Sequence, residues 1–137
     1  MKKNVLVLCT GNSCRSIMAE ALINAKLKDF VFAQSSGVKA NGTVNPYAKA
    51  LLKKKEYWRD EYHSKVIQTV IDTKFDLVIT VCDHAKETCP MFHKAIKTLH
   101  VSFDDPSDKE EAEYEKTLNL IEEKLLPIIK KEFELKV

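Results

Sequence analysis

The stretch NVLVLCTGNSCRS, residues 4–16, decides the fold of this chain. Residues 4–9 form an apolar run rich in valine and leucine, which is typical of a strand buried on both faces. A turn of small and polar residues follows, and from Ser16 to Leu27 apolar residues recur at helical spacing. A buried strand that leads through a short turn into a helix predicts an α/β fold with parallel strands.

The rest of the chain repeats this alternation. Three further strands are predicted at residues 31–36, 75–82 and 98–103. Three further helices are predicted at residues 46–56, 65–72 and 109–133, the last of them kinked or restarted at Pro127. Ser64 is the predicted N-cap of the helix at 65–72, and the residues which that helix would bury are Val66, Ile67, Val70 and Ile71. We therefore predict one domain over residues 1–137, with four parallel strands flanked by helices.

The composition excludes several classes of protein. The chain has 137 residues, with 22 Lys and Arg against 20 Asp and Glu and a net charge of +2, which does not fit a nucleic-acid-binding protein. No apolar run approaches the roughly 20 residues of a membrane span. The apolar stretch that follows Lys2 and Lys3 stops at Cys9, too early for a secretion signal. We expect a cytoplasmic protein whose four cysteines are reduced, and are catalytic or metal-binding rather than permanently paired.

The turn after the first strand has the composition of an anion-binding loop. Ligands of parallel sheets bind at the carboxyl ends of strands, where the N-terminus of the next helix adds a positive partial charge. Gly11 and Asn12 tolerate backbone conformations that other residues avoid, and the Arg15 guanidinium can contact two oxygens of one oxyanion. The predicted oxyanion-binding residues are Thr10, Gly11, Asn12, Ser13, Cys14 and Arg15.

Cys9 ends the first strand at the mouth of this turn. The positive field of the turn should lower the pKa of its thiol from about 8.5 towards the range of about 3.5–7.5 found for activated cysteines. Ser16 is in a position to donate a hydrogen bond to the sulfur. Cys9 is therefore the predicted nucleophile facing a bound oxyanion, whereas the side chain of Cys14 is expected only to pack.

These residues resemble a known family. The segment CTGNSCRS at 9–16, followed by Met18, Ala19 and Glu20, resembles the phosphate loop of low-molecular-weight protein tyrosine phosphatases. It is even more similar to the thioredoxin-coupled arsenate reductases built on the same fold. The likeness continues nearly to the end of the chain, through SSG at 35–37, NP at 45–46, CDHAKETCP at 82–90 and FDDP at 103–106. The resemblance implies a strand order of 2-1-3-4, and we expect a monomer with no cofactor and no bound metal.

A second pair of cysteines distinguishes the two enzymes. Cys82 ends the third predicted strand and is expected at the same sheet edge as Cys9. Cys89 follows seven residues later, which on a helix places the two Cα atoms about 10.5 Å apart. A disulfide needs roughly 4.4–6.8 Å, so pairing requires the segment to unwind. Such a pair is typical of a redox switch rather than a permanent cross-link.

The resemblance to arsenate reductases implies a relay through three cysteines. Cys9 attacks arsenate, Cys82 attacks Cys9, two electrons pass to arsenic, and arsenite leaves. Cys89 then attacks Cys82, and thioredoxin reduces the Cys82–Cys89 disulfide by exchange. Phosphate and sulfate are expected to bind as analogues of arsenate. Three cysteines within one chain favour thioredoxin over a glutathione route.

The resemblance also implies a general acid. Asp105, which precedes Pro106, has the position of that residue in both enzymes, with Asp104 as the open alternative. Ser107 and Asp108 follow where the phosphatases usually have aromatic residues, and this departure favours the reductase.

Several alternatives stay open at this point. The chain can be a phosphatase that hydrolyses a cysteinyl-phosphate on Cys9, or a protein that only binds an oxyanion or senses oxidation. The cysteines can also be small core residues. A zinc site would draw on residues whose spacing matches no common zinc finger, namely Cys82, His84, Cys89 and His93.

Some reductases of this family hold a potassium ion beside the loop. Asn12, Glu20 and Ser35 match three of its ligands, whereas the fourth, an aspartate there, is Lys65 here. A lysine ammonium would repel potassium and can reach the same oxygens. We therefore expect activity that does not depend on potassium.

Overall fold

The computed structural model describes residues 2–82, 97–106 and 109–136. Its strands are β1 (Lys3–Cys9), β2 (Val31–Gly37), β3 (Leu77–Thr80) and β4 (Thr98–His100). They form one sheet, all parallel, in the order β2-β1-β3-β4. The predicted α/β class, the four parallel strands and the order 2-1-3-4 are confirmed.

The two inner strands are buried as their apolar sequences predict. Residues 5–9 of β1 and all four residues of β3 are buried. Because the strands are parallel, their carboxyl ends lie at one edge of the sheet, where Cys9 pairs with Gly37 and Leu8 pairs with Thr80. Cys82, two residues beyond β3, reaches the same edge and contacts Thr10. The sheet thus brings together two cysteines that are far apart in sequence.

In the described ranges, three helices accompany the sheet: α1 (Arg15–Lys26), α2 (Pro46–Lys54) and α3 (Glu111–Glu132). α1 packs on β1 and β2, and α3 packs against α1 and α2. The sequence predicts an apolar stripe on this helix, namely Leu118, Ile121, Leu125, Ile128 and Ile129. All of these residues are buried except Ile128, which is half-buried. α3 continues through Pro127 without ending, so the predicted fresh start at this residue is wrong.

A side chain closes part of the outer edge of β2. Asn24 of α1 accepts a hydrogen bond from the N–H of Ala33 (2.8 Å) and donates one to the Ala33 carbonyl (3.0 Å). These are the two backbone groups that a further strand would use at this position. Near the end of β2, the N–H of Gly37 donates to the carbonyl of Lys65 (2.9 Å). Residues of the same chain therefore satisfy much of this edge.

The predicted helix at 65–72 is wrong, because only one 3₁₀ turn forms there, Ile67–Thr69. Val66 is extended, with φ −78° and ψ 156°, and makes a parallel bridge with Gly37. This pairing with the end of β2 commits the backbone to a strand-like path before a helix can begin. Of the residues that this helix was predicted to bury, Ile67 and Val70 are buried, Ile71 is half-buried and Val66 is exposed.

β3 and β4 are shorter than the predicted spans of 75–82 and 98–103. After β4, the N–H of Val101 donates to the carbonyl of Thr80, and that of Phe103 donates to the carbonyl of Val81. Between these two bonds the segment after β4 advances by two residues, whereas the segment after β3 advances by one. The regular hydrogen-bond ladder of the two strands therefore ends here. None of the helices in the described part of the chain has the length and apolar character needed to cross a membrane.

Candidate active site

The segment between β1 and α1, residues 10–14, is called here the anion loop, and residues 38–45 are called the outer loop. Carbonyls of the anion loop and its preceding residue accept hydrogen bonds of 2.8–3.1 Å from N–H groups of the outer loop. The N–H of Val38 donates to the Cys9 carbonyl, that of Lys39 to Thr10, that of Asn41 to Gly11, and that of Asn45 to Ser13. A trans peptide points its carbonyl and the next N–H in opposite directions, so the N–H groups of residues 10, 11, 12 and 14 face away from the outer loop. Converging amides of this kind form an oxyanion-binding concavity.

Three local features hold this shape. Asn12 has φ 49°, the left-handed conformation that it is expected to tolerate, whereas the φ of Gly11 is not positive. Gly37 is required for a different reason, since a Cβ at this position would lie 2.5 Å from the Thr10 carbonyl oxygen. Ser64 does not cap a helix; its hydroxyl donates to the carbonyl of Gly11 (3.2 Å).

A buried chain of polar side chains runs from the anion loop to Glu20. Asn12 Nδ2 donates to Ser16 Oγ (2.8 Å) and to Ser35 Oγ (2.9 Å), and Asn12 Oδ1 accepts from the N–H of Lys65 (2.8 Å). Ser35 Oγ donates to Glu20 Oε1 (2.5 Å). The four residues that form this series of hydrogen bonds are each at most 4% exposed, namely Asn12, Ser16, Ser35 and Glu20. The predicted hydrogen bond from Ser16 to Cys9 stays a prediction.

Glu20 has an unusual electrostatic environment. Burial raises the pKa of its carboxyl to about 7, against the opposing effects of the Lys65 charge and the Ser35 hydrogen bond. Glu20 and Lys65 line the same cavity, of about 220 Å³. The Lys65 side chain is half-buried, and its charge acts on Glu20 as the sequence comparison with potassium-binding reductases suggests.

Arg15 is held at the entrance to the anion loop. Its Nη1 donates to the carbonyl of Phe103 (3.0 Å), and its Nη2 lies 3.6 Å from Asp105 Oδ2. The Arg15 side chain is 14% exposed and that of Asp105 is 50% exposed. Of the two predicted candidates for the general acid, Asp105 rather than Asp104 is therefore the ion-pair partner of Arg15.

Cys9 and Cys82 are in contact as thiols. Cys82 hydrogen-bonds Cys9, and the hydroxyl of Thr10 lies 3.2 Å from the Cys82 sulfur. The bond to Cys82 and burial raise the pKa of Cys9, while the Arg15 charge and the Thr10 N–H act to lower it. The predicted net lowering of the Cys9 pKa is therefore wrong for this arrangement, because the second thiol and the burial outweigh the positive field.

Cys14 differs from the other two thiols of the site. Burial, with a contribution from Asp105, raises its pKa to about 12, so Cys14 stays protonated at neutral pH. This agrees with the packing role predicted for its side chain. Cys9, Cys14 and Cys82 are all buried.

The structure brings nearly all the predicted site residues together. Cys9, the six predicted oxyanion-binding residues, Ser16, Cys82 and Asp105 lie around the anion loop, and Cys89 lies outside the described residues. His84, His93, Ser107 and Asp108 also lie outside them. Within the described ranges, no group of three or more His, Cys, Asp or Glu side chains is arranged to hold a metal ion.

Sequence reasoning missed several backbone contacts of the site. The carbonyl of Phe103 binds Arg15, and the N–H of Lys65 binds Asn12. Backbone groups have no residue-type signature, so no pattern in the sequence reveals them. The contact of the Thr10 hydroxyl with Cys82 follows more directly, since β1 and β3 are neighbours in the predicted strand order.

Comparison with known proteins agrees with this geometry. Residues 4–135 match the family described as low molecular weight phosphotyrosine protein phosphatase. This chain belongs to that family. A similar curated protein is Arsenate reductase 1 of Bacillus cereus, which is 42% identical over 109 residues, 80% of this chain and 81% of the relative.

The solved structures that resemble this chain include both arsenate reductases and low molecular weight phosphatases. An arsenate reductase from Archaeoglobus fulgidus DSM 4304 has 30% identity and a TM-score of 0.77, covering 91% of this chain and 98% of that one. A low molecular weight protein tyrosine phosphatase from T. tengcongensis has 27% identity and a TM-score of 0.78, covering 95% of this chain and 99% of that one. The shared fold therefore does not by itself choose between the two activities.

Proposed function

We propose that this protein reduces arsenate to arsenite with its own cysteines and takes the electrons from thioredoxin. The observation that carries the proposal is the contact of the Cys82 thiol with Cys9 beside the anion loop. Phosphate-ester hydrolysis needs one thiol, whereas two thiols in contact can form a disulfide and release two electrons. The similarity to proteins named arsenate reductase supports the same choice.

In the first step, arsenate binds as a tetrahedral oxyanion to the loop amides and to Arg15. The Cys9 sulfur attacks arsenic, an As–O bond breaks, and the oxygen leaves as water after protonation. Asp105 is the general acid for that oxygen, since it lies 3.6 Å from the guanidinium that orients the oxyanion. The product is a thioester of arsenic(V) on Cys9.

In the second step, Cys82 attacks the Cys9 sulfur and the S–As bond breaks. The electron pair of that bond remains on arsenic, which is reduced from As(V) to As(III) and leaves as arsenite. A Cys9–Cys82 disulfide remains. Because the two thiols interact, the loss of the first proton belongs to the pair rather than to either thiol, and the Thr10 hydroxyl stabilises the negative charge when it lies on Cys82.

In the third step, Cys89 attacks Cys82 and releases the Cys9 thiolate. Thioredoxin then reduces the Cys82–Cys89 disulfide by thiol–disulfide exchange and becomes oxidised in its place. The cycle needs reduced cysteines between turnovers, which supports the predicted cytoplasmic location.

The test follows NADPH oxidation after arsenate is added to the protein with thioredoxin and thioredoxin reductase. We expect catalytic turnover that disappears in Cys82→Ser and in Cys89→Ser. Mass spectrometry of arsenate-treated Cys89→Ser should find the Cys9–Cys82 disulfide trapped. Absence of turnover in the unsubstituted protein, together with rapid hydrolysis of an aryl phosphate, would overturn the proposal.

A second candidate function is hydrolysis of phosphate monoesters. The pairing of Arg15 with Asp105 favours it, because an oxyanion-orienting guanidinium beside an acid serves either reaction. The two functions differ in their need for Cys82. Cys82→Ser should abolish arsenate reduction and leave aryl phosphate hydrolysis in place.

A further inference from the structure

We propose that Tyr114 of α3, which lies outside the anion loop, is a positioning residue for oxyanion binding. It acts through Asn45 on the peptide that joins Ser13 to Cys14. The proposal deepens the proposed function, since it rests on the binding of the substrate oxyanion by the anion loop.

The hydroxyl of Tyr114 connects α3 to the outer loop. Tyr114 is 2% exposed, and burial of a hydroxyl is costly unless the group has a hydrogen-bond partner. Thr117, another buried polar residue of α3, donates within its own helix to the Glu113 carbonyl (2.8 Å). The Tyr114 hydroxyl instead accepts from Asn45 Nδ2 (3.1 Å). The buried hydroxyl therefore serves a contact between two distant segments rather than α3 itself.

The orientation of the Asn45 side chain is fixed by α2. As the N-cap of this helix, Asn45 Oδ1 accepts from the N–H groups of Tyr47 (2.9 Å) and Ala48 (3.3 Å). Because the amide oxygen is committed to α2, the Nδ2 group lies on the opposite side, where it meets Tyr114. The backbone N–H of Asn45 donates to the Ser13 carbonyl (2.8 Å). One residue thus joins α2, α3 and the anion loop.

Asn45 depends on this bond because the sheet does not hold it directly. Val38 and Lys39, which donate to carbonyls around the start of the anion loop, immediately follow β2. Asn45 comes later, after residues 41–43, which are exposed. It begins a helix that buries two of its nine residues. The hydrogen bond to Tyr114 therefore helps to hold Asn45 against the anion loop.

The group that this arrangement positions is the N–H of Cys14. It belongs to the same peptide as the Ser13 carbonyl, and a trans peptide points these two groups in opposite directions. The bond from Asn45 therefore directs the Cys14 N–H into the oxyanion-binding concavity. Without the Tyr114 hydroxyl, the Asn45 amide loses a partner, and the Ser13 carbonyl is held less firmly. Oxyanion affinity should fall, whereas the thiol nucleophile and the guanidinium keep their places.

The test measures the dissociation constant of inorganic phosphate by isothermal titration calorimetry, with no arsenate and no thioredoxin present. Tyr114→Phe keeps the ring and removes the hydroxyl. Tyr47→Phe is its matched control, because it removes a hydroxyl from the exposed ring whose centroid lies 5.5 Å from that of Tyr114. We expect the phosphate dissociation constant to rise about fivefold in Tyr114→Phe and to stay unchanged in Tyr47→Phe. Equal constants for the two folded variants would overturn the proposal.

A double-mutant cycle locates the effect. Asn45→Ser keeps the backbone N–H and a hydroxyl that can cap α2, but its side chain is too short to reach Tyr114. If Tyr114 acts through Asn45, adding Tyr114→Phe to Asn45→Ser changes phosphate affinity no further, whereas effects that multiply refute the connection. Should Tyr114→Phe fail to fold, Asn45→Ser must show the same loss of phosphate affinity.

Steady-state kinetics with arsenate distinguish positioning for binding from a general loss of structure. In Tyr114→Phe, KM should rise together with the phosphate dissociation constant while kcat stays unchanged, and a lower kcat at an unchanged KM would contradict the proposal. Failure of the proposed function would appear as absent arsenate turnover with the phosphate affinities still separated. Failure of the present inference would appear as turnover with equal phosphate affinities.

Discussion

The buried carboxyl of Glu20 makes the stability of this fold depend on pH in an unusual direction. Its pKa rises from an ordinary 4.5 to about 7 on folding, mainly through burial. Between these values the folded protein holds a proton that the unfolded chain has lost, so the free energy of unfolding falls as the pH rises. A shift of one pKa unit is worth about 1.4 kcal/mol, so the rise in the Glu20 pKa corresponds to about 3 kcal/mol in the free energy of unfolding. Because Glu20 is only 4% exposed, screening by solvent reduces this free energy little.

Urea unfolding from about pH 5 to about pH 8, compared between the unsubstituted protein and Glu20→Gln, measures this contribution. The contribution of Glu20 to stability is fully present below the pKa of its carboxyl in the unfolded chain. It is lost as the pH rises through the pKa of the same carboxyl in the folded protein. The stability of the unsubstituted protein relative to Glu20→Gln should therefore fall by about 3 kcal/mol across this range. Parallel pH dependences would refute the reasoning, and would mean that Lys65 keeps Glu20 ionised at its ordinary pKa.

Three further predictions concern turnover. Thr10→Val removes the hydroxyl that lies 3.2 Å from the Cys82 sulfur, and should slow formation of the arsenate-dependent disulfide about tenfold in single-turnover experiments; an unchanged rate would show that the hydroxyl does not stabilise the thiolate. Arsenate turnover should be equal in potassium and sodium salts at equal ionic strength, because the Lys65 charge already acts on the site; strong activation by potassium would contradict this. Asp105→Asn should lower kcat by about 10²–10⁴-fold while Asp104→Asn changes it little, and steady-state kinetics with the reverse pattern would transfer the general acid to Asp104.

The first strand and helix could be predicted from the sequence because their determinants are local. The apolar run at 4–9 and the small residues after it are contiguous, and both elements form where expected. The helix at 65–72 failed for the opposite reason. Val66 is extended because it pairs with Gly37, and this long-range pairing overrides the apolar spacing on which the prediction relied.

The same distinction holds for the site. The anion loop is one continuous segment, so its residues could be identified together from the sequence. The pKa of Cys9 could not be predicted, because it depends on how deeply the folded chain buries the thiol and on the contact with Cys82. The bond from Arg15 to the Phe103 carbonyl depends on a backbone group, and the packing of the distant segments decides where that group lies.

The Asn24 amide that occupies both backbone groups of Ala33 also limits how other proteins can recognise this one. A peptide that adds itself to a sheet needs unoccupied main-chain donors and acceptors along the edge, and a side chain already uses them here. Neither a second copy of the chain nor an electron donor can dock at that position by extending the sheet. A redox partner of the proposed reaction therefore has to reach Cys82 by a surface other than this stretch of β2.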